Sequence, residues 1–120
     1  MAPFIPEMDG RRFRTVEIPT TLPTLDEVYG REGTTATELT AFYSRQLRPG
    51  LNVYTAHAEM EGIRQLPILQ HFLSALRGQV EFRRLIDVAE RLEGVPAGRV
   101  VTGPIAGRAG TVAWQESARE

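Results

Sequence analysis

The chain has 120 residues, 42% of them apolar and 24% charged, with a net charge of −1 and no cysteine. That size holds one domain or part of one, and the composition excludes a disordered or collagen-like chain. The charge balance leaves no basic excess for nucleic acid, the missing cysteines exclude a disulfide framework and a thiolate metal site, and no apolar run reaches the roughly 20 residues of a membrane span.

Met1 to Gly10 carries Pro3 and Pro6 without periodicity and reads as an extended lead-in. It lacks the charged-then-apolar layout of a signal peptide. Arg11 to Ile18 places Phe13, Val16 and Ile18 as apolar points of a short strand. Pro19 and Pro23 remove donors from the next stretch, which reads as a loop. Thr24-Leu25-Asp26-Glu27 is a capping box that opens a short helix, stopped at Gly30. Thr35-Ala36-Thr37-Glu38 repeats the box, and Leu39, Phe42, Tyr43 and Leu47 then follow at helical spacing before Pro49-Gly50.

Leu51 to Ala58 is the strongest strand candidate, with Val53, Tyr54 and Thr55 at its centre. Pro67 suits the first turn of a second long helix, whose apolar stripe is Leu69, Phe72, Leu73 and Leu76. Val80 to Leu85 predicts a short strand, Asp87 to Leu92 a short helix, and Arg99 to Thr102 a last strand. Gly103 to Gly110 reads as a loop leading into a tail. This alternation predicts an α/β fold of parallel βαβ units, with 1–120 as one unit. The chain is too short for a complete eight-stranded barrel, which takes about 250 residues.

All 14 basic residues are Arg, so Schiff-base chemistry and a phosphate-loop Lys are excluded. Of the two histidines, His71 falls on the polar side of its helix and receives no role. His57 closes the predicted strand 51–58 and is followed at alternate positions by Glu59 and Glu61. Active sites of parallel α/β folds gather at the C-terminal ends of strands, so the sequence places the His57 ring toward an open cleft. A neighbouring carboxylate there would hold the imidazole in one tautomer. Catalytic metal sites draw their ligands from separate elements, so the run His57-x-Glu59-x-Glu61 is not assigned as one.

The segment VYTAHAEMEG (Val53 to Gly62) resembles the VYT-x-HAE-x-EG segment of the polysaccharide deacetylase family, in its branch acting on a lipid-linked formamido sugar. PFIPEMDG (Pro3 to Gly10), IPTTLPTLDEVYGRE (Ile18 to Glu32), VEFRRLIDVAE (Val80 to Glu90) and GRVVTGPIAGRAG (Gly98 to Gly110) resemble that branch's segments in the same order. The resemblance implies the C-terminal part of a distorted (β/α) barrel, in a hydrolase that removes a formyl or acetyl group from an amino sugar. The implied substrate is undecaprenyl-phosphate-linked 4-formamido-arabinose of lipid A modification. The implied location is the bacterial cytoplasm or the cytoplasmic face of the inner membrane, with peripheral membrane association.

By its place in the motif, His57 is the residue that protonates the departing amine. Glu59 and Glu61 are the candidate substrate-binding carboxylates, one of them expected to orient either His57 or an Arg near the substrate's polar groups. The complete enzyme of the family carries one divalent metal, such as zinc or cobalt. An Asp and the two His of an H-x-x-x-H motif hold it, early in the family's chain. Neither that motif nor the early Asp occurs here, so this chain alone is expected to bind no metal. The expectation is a metal-dependent amidohydrolase whose metal-binding N-terminal half is the partner, with self-association of the isolated chain. The competing expectation is a catalytically inert α/β fragment or interaction domain.

Overall fold

The computed structural model describes residues 2–107 and 109–116. Its elements follow in the order β1 (Ile5–Met8), β2 (Arg11–Arg12), α1 (Leu25–Val28), α2 (Ala36–Gln46), a π-helical turn (Met60–Arg64), α3 (Leu66–Leu76), α4 (Leu85–Arg91), β3 (Ala97–Gly103) and β4 (Val112–Gln115). The chain divides into two compact units. One holds the residues up to Pro19 and from Arg83 onward, and the other holds Thr20–Phe82.

The first unit is built on a four-stranded sheet of order β2-β1-β3-β4. β1 pairs antiparallel with β2 and parallel with β3, and β3 pairs antiparallel with β4. The architecture is therefore mixed α/β, as expected, but the sheet is open and holds a single parallel pair rather than a run of βαβ units. Phe4 is buried, and its amide and carbonyl both pair with Glu17. Gly98 is required where β3 crosses Phe4: a Cβ there would collide with the Phe4 ring and lie 2.7 Å from Gln115 Nε2. An apolar cavity of about 530 Å³ opens on this unit, lined among others by Phe4, Met8, Phe13, Val100 and Trp114. α4 carries a bidentate Arg84–Asp87 pair, at 2.9 and 2.6 Å, and leaves Leu85 and Ile86 more than half exposed.

The second unit is helical. Glu38 accepts from the amides of Thr34 and Thr35 at 3.0 and 3.1 Å, and the Thr35 hydroxyl accepts from the Glu38 amide at 3.3 Å. The capping box predicted at Thr35 is thus formed, and α2 runs on from it. Leu39 and Tyr43 of α2 pack with Ile68, Phe72 and Leu76 of α3 and with Leu25 and Val28 of α1 into one core cluster. Each such side chain taken fully from water contributes about 1.5–3 kcal/mol. The apolar stripe of α3 is rotated from the expected one. Ile68 is buried in place of Leu69, and Leu73 is 41% exposed.

Two predicted strands do not form, and a further one, Arg11 to Ile18, is strand only at Arg11–Arg12, with an isolated bridge at Glu17. Leu51 to Ala58 belongs to no ladder, and it meets the chain before α1 at Val53 and, through a hydroxyl pair at 3.2 Å, at Thr55 with Thr20. The Val53 amide donates to the Thr21 hydroxyl at 2.7 Å, and its carbonyl accepts the amides of Thr21 and Leu22, both at 3.0 Å. Side-chain and loop partners have taken the bonds a neighbouring strand would supply. Of Val80 to Leu85, expected as a strand, Val80 forms an isolated bridge with Arg77, residues 81–84 are irregular, and Leu85 opens α4. Conversely β1, read as a lead-in, and β4, read as tail, are strands.

Candidate functional site

The site lies within the helical unit, where α1 and the turn after residue 57 meet. α1 is one turn long. Its buried Leu25 and Val28 anchor it, while Asp26 between them points to solvent. The Glu27 carboxylate accepts from the Thr24 amide at 2.9 Å and so closes the start of the helix. Asp26 is therefore held at a helix N-terminus, where a negative charge is favoured.

On the other side, the extended stretch through Val53 delivers Tyr54 into the core. Its ring centroid lies 5.2 Å from that of Tyr43 and 5.6 Å from that of Phe72, with edge-on geometry in both pairs. Such pairing adds to plain area burial. The chain then reverses, and the His57 carbonyl accepts the amides of Met60 and Glu61 at 3.1 and 3.0 Å. Gly62 sits inside the π-helical turn that follows. π turns are rare and occur often at functional sites.

His57 emerges from this turn with its side chain 44% exposed, and its Nδ1 lies 3.3 Å from Oδ1 of Asp26. Glu61 turns inward and is 1% exposed. One of its carboxylate oxygens accepts the Tyr54 hydroxyl, and the other accepts the His57 backbone amide at 2.8 Å. Glu59 is exposed. His71 bonds through Nδ1 to the Thr40 hydroxyl at 2.9 Å and links α3 to α2, away from this constellation.

The electrostatics follow from these contacts. The Thr24 hydroxyl, and to a smaller extent His57, hold the Asp26 carboxyl below its ordinary value, so it is ionised near neutral pH. Burial pushes the Tyr54 phenol up, and the Glu61 carboxylate beside it adds to the rise, so Tyr54 remains a hydroxyl donor. Burial also pushes Tyr43 up, to about 12. An imidazole whose Nδ1 faces a carboxylate keeps Nε2 as the ring nitrogen not committed to Asp26.

Of the residues singled out from sequence, the structure brings His57 and Glu61 into contact through the backbone, leaves Glu59 outside that network, and does not set His57 on a strand. The expected strand-end position is corrected to the mouth of a hydrogen-bonded turn. Glu61, expected to bind substrate or to orient His57 or an Arg beside it, has both oxygens engaged by the protein, one of them by the His57 amide. Asp26 went unrecognised because Thr24-Leu25-Asp26-Glu27 is fully explained as a helix cap. Its place in the first turn of a one-turn helix, in a segment of family likeness, was the available signal. Among the described residues, no group of three or more His, Asp or Glu is placed to hold a metal ion. His57 and Asp26 are a pair, short of the three protein ligands of a catalytic divalent-metal site.

Two bacterial proteins align with the chain along almost its whole length. One is a probable 4-deoxy-4-formamido-L-arabinose-phosphoundecaprenol deformylase of Wigglesworthia glossinidia brevipalpis, 33% identical over 117 residues that make up 94% of this chain and 41% of the relative. The chain is homologous to part of these deformylases. A protein of the same description from Shewanella sediminis is 32% identical over 117 residues, which cover 95% of this chain and 37% of the relative. The chain thus spans about two fifths of the length of the curated relatives it matches. No protein-family model matches the chain. Among the described residues no helix is long and apolar enough to cross a membrane.

Proposed function

We propose that this chain is the general-acid portion of an amide hydrolase that removes the formyl group from a lipid-linked 4-formamido sugar. The observation that carries this reading is the pairing of His57 with Asp26 on a chain homologous to such deformylases. Hydrolysis of the formamide adds water across the C–N bond and yields formate and the free amine. The amine is a poor leaving group unless its nitrogen gains a proton as the bond breaks. The role assigned to His57 is that donation, from Nε2, while Asp26 holds Nδ1 and balances the imidazolium charge. The arrangement follows the logic by which a carboxylate orients a histidine in other hydrolases.

In this reading the chain is the C-terminal part of a distorted (β/α) barrel, and the remaining part supplies the divalent-metal donors that the described residues lack. A divalent ion held there would supply Lewis-acid chemistry at the formyl carbonyl. The reading places the protein at the cytoplasmic face of the bacterial inner membrane, where a polyprenyl-phosphate sugar is presented. Exposed Glu59 is the carboxylate available to the sugar's hydroxyls, and Glu61 acts through the protein.

The test is an exchange. This chain replaces the matching stretch of the Wigglesworthia protein, and formate release from the lipid-linked formamido sugar is measured. The expected result is turnover that falls by about 10²–10⁴-fold on His57→Gln. Unchanged formate release with His57→Gln would overturn the assignment. A chimera that folds but is inert would favour the reading of this chain as an interaction fragment.

A further inference from the structure

We infer that Glu61 is the positioning residue of the site: its buried carboxylate clamps the His57 backbone to Tyr54 and thereby fixes the imidazole against Asp26. The inference deepens the general-acid reading of His57 and rests on it for its functional meaning, but not for its structural test.

Among the described residues Glu61 is the one charged side chain that is buried, at 1% exposed, and the other fully buried side chains are Tyr43, Leu25 and Leu39. A carboxylate removed from water is costly unless donors replace the water it loses. Two donors do so here. The Tyr54 hydroxyl serves one oxygen and the His57 amide serves the other at 2.8 Å. Tyr54 is itself fixed, since its ring is packed edge-on against Tyr43 and Phe72. The clamp therefore runs from the aromatic core, through the carboxylate, to the backbone nitrogen of His57.

The same turn is closed from the other direction. The His57 carbonyl accepts the Met60 and Glu61 amides, so residue 57 is held at both its N–H and its C=O. A side chain anchored at both backbone groups has only its own torsions left to search. Of its two ring nitrogens, Nδ1 then falls 3.3 Å from Asp26. A bland core would place an apolar residue at position 61, which would pack without desolvating a charge. The carboxylate meets the backbone amide of a residue that belongs to no strand ladder, so it stands where a neighbouring strand's carbonyl would otherwise serve.

The tautomer of His57 reads this directly. The Asp26 carboxylate, 3.3 Å from Nδ1, favours the Nδ1–H form of neutral His57, whereas a free imidazole favours Nε2–H. Long-range ¹⁵N–¹H NMR on the full chain distinguishes the two forms. His71 serves as the internal control, since its Nδ1 contact is with Thr40. Glu61→Ala is expected to lower the Nδ1–H to Nε2–H ratio of His57 by about fivefold, the worth of one ordinary hydrogen bond, with His71 unchanged. Glu61→Gln keeps an oxygen for the His57 amide and is expected to retain most of the ratio.

If Glu61→Ala fails to fold, Tyr54→Phe removes one anchor of the carboxylate while keeping the packed ring. It is expected to lower the ratio in the same direction. A His57 ratio unchanged in a folded Glu61→Ala variant, or unchanged in Tyr54→Phe, overturns the inference. No substrate enters the measurement, so an inactive chimera leaves this result readable on its own.

Discussion

The Nδ1 atom of His57 lies 3.3 Å from Oδ1 of Asp26, joining a turn that follows an extended stretch to the first turn of a separate short helix. Neither residue is buried, and neither is held by its own side chain alone. Asp26 is presented by the anchored pair Leu25 and Val28, and His57 by a carboxylate that grips its amide. The pairing depends on two local frames being right at once. Changes that disturb either frame should therefore register at the ring of His57.

The capping box of α2 makes stability depend on acid. The amides of Thr34 and Thr35, and then the Thr35 hydroxyl, hold the Glu38 carboxyl below its ordinary value of 4.5. A group whose folded value is depressed stabilises the protein above its unfolded value, and loses that contribution as pH falls through the folded value. The denaturation midpoint should therefore fall as pH is lowered from about 5 into the acid range. In Glu38→Gln this part of the slope should vanish. Urea melts followed by circular dichroism across that range check it, and an identical acid slope in the two proteins would contradict it.

The core of the helical unit is small enough that one truncation is felt throughout. Leu39 is fully buried between α1 and α3. Leu39→Ala should cost about 2–5 kcal/mol, the sum of lost transfer energy and the cavity left behind. Urea unfolding with an unchanged slope and a shifted midpoint is the expected signature, and a cost below about 1 kcal/mol would mean the site collapses freely.

The link between α2 and α3 is more modest. Thr40 is 7% exposed, and its hydroxyl meets His71 Nδ1 at 2.9 Å. Thr40→Val keeps the shape and removes the bond, so it should cost about 1 kcal/mol. The ¹⁵N resonances of His71 should move while those of His57 stay in place. Movement of both would show that the two histidines share one network.

Gly98 tests the sheet unit. A methyl group there would meet the Phe4 ring and the Gln115 side chain, so Gly98→Ala should destabilise the sheet by about 1–3 kcal/mol. Amide exchange at β3 should speed up by one to two powers of ten, at about 1.4 kcal/mol for each. Exchange at an unchanged rate would mean that Phe4 and Gln115 give way at no cost.

These particulars also show what could be read from sequence and what could not. Thr35 with Glu38 announces α2, and Phe72 with Leu76 marks the buried face of α3, because caps and helical spacing are local signals. The stretch Leu51 to Ala58 has the β-branched and aromatic composition of a strand, yet strand formation is decided by a neighbour. Here Thr21 and Leu22 meet only Val53. β1 was hidden by Pro3 and Pro6. Pro6 is tolerated because it lies at the end of the β1–β2 ladder, where its carbonyl still accepts the Phe13 amide at 2.9 Å and only the return bond is missing. At the site, His57 was legible from its motif. The inward turn of Glu61 was not, since exposed and buried carboxylates look alike in a sequence, and Asp26 was masked by a cap that accounted for it completely.

The central claim is that His57 delivers the proton to the departing amine, and leaving-group dependence tests it most directly. The measurement compares the chimera carrying this chain with its His57→Gln variant on two substrates, the formamido sugar and a formyl ester whose alcohol leaves without protonation. The account predicts a loss of about 10²–10⁴-fold on the formamide, and a loss within about tenfold on the ester. An equal loss on both substrates would contradict it.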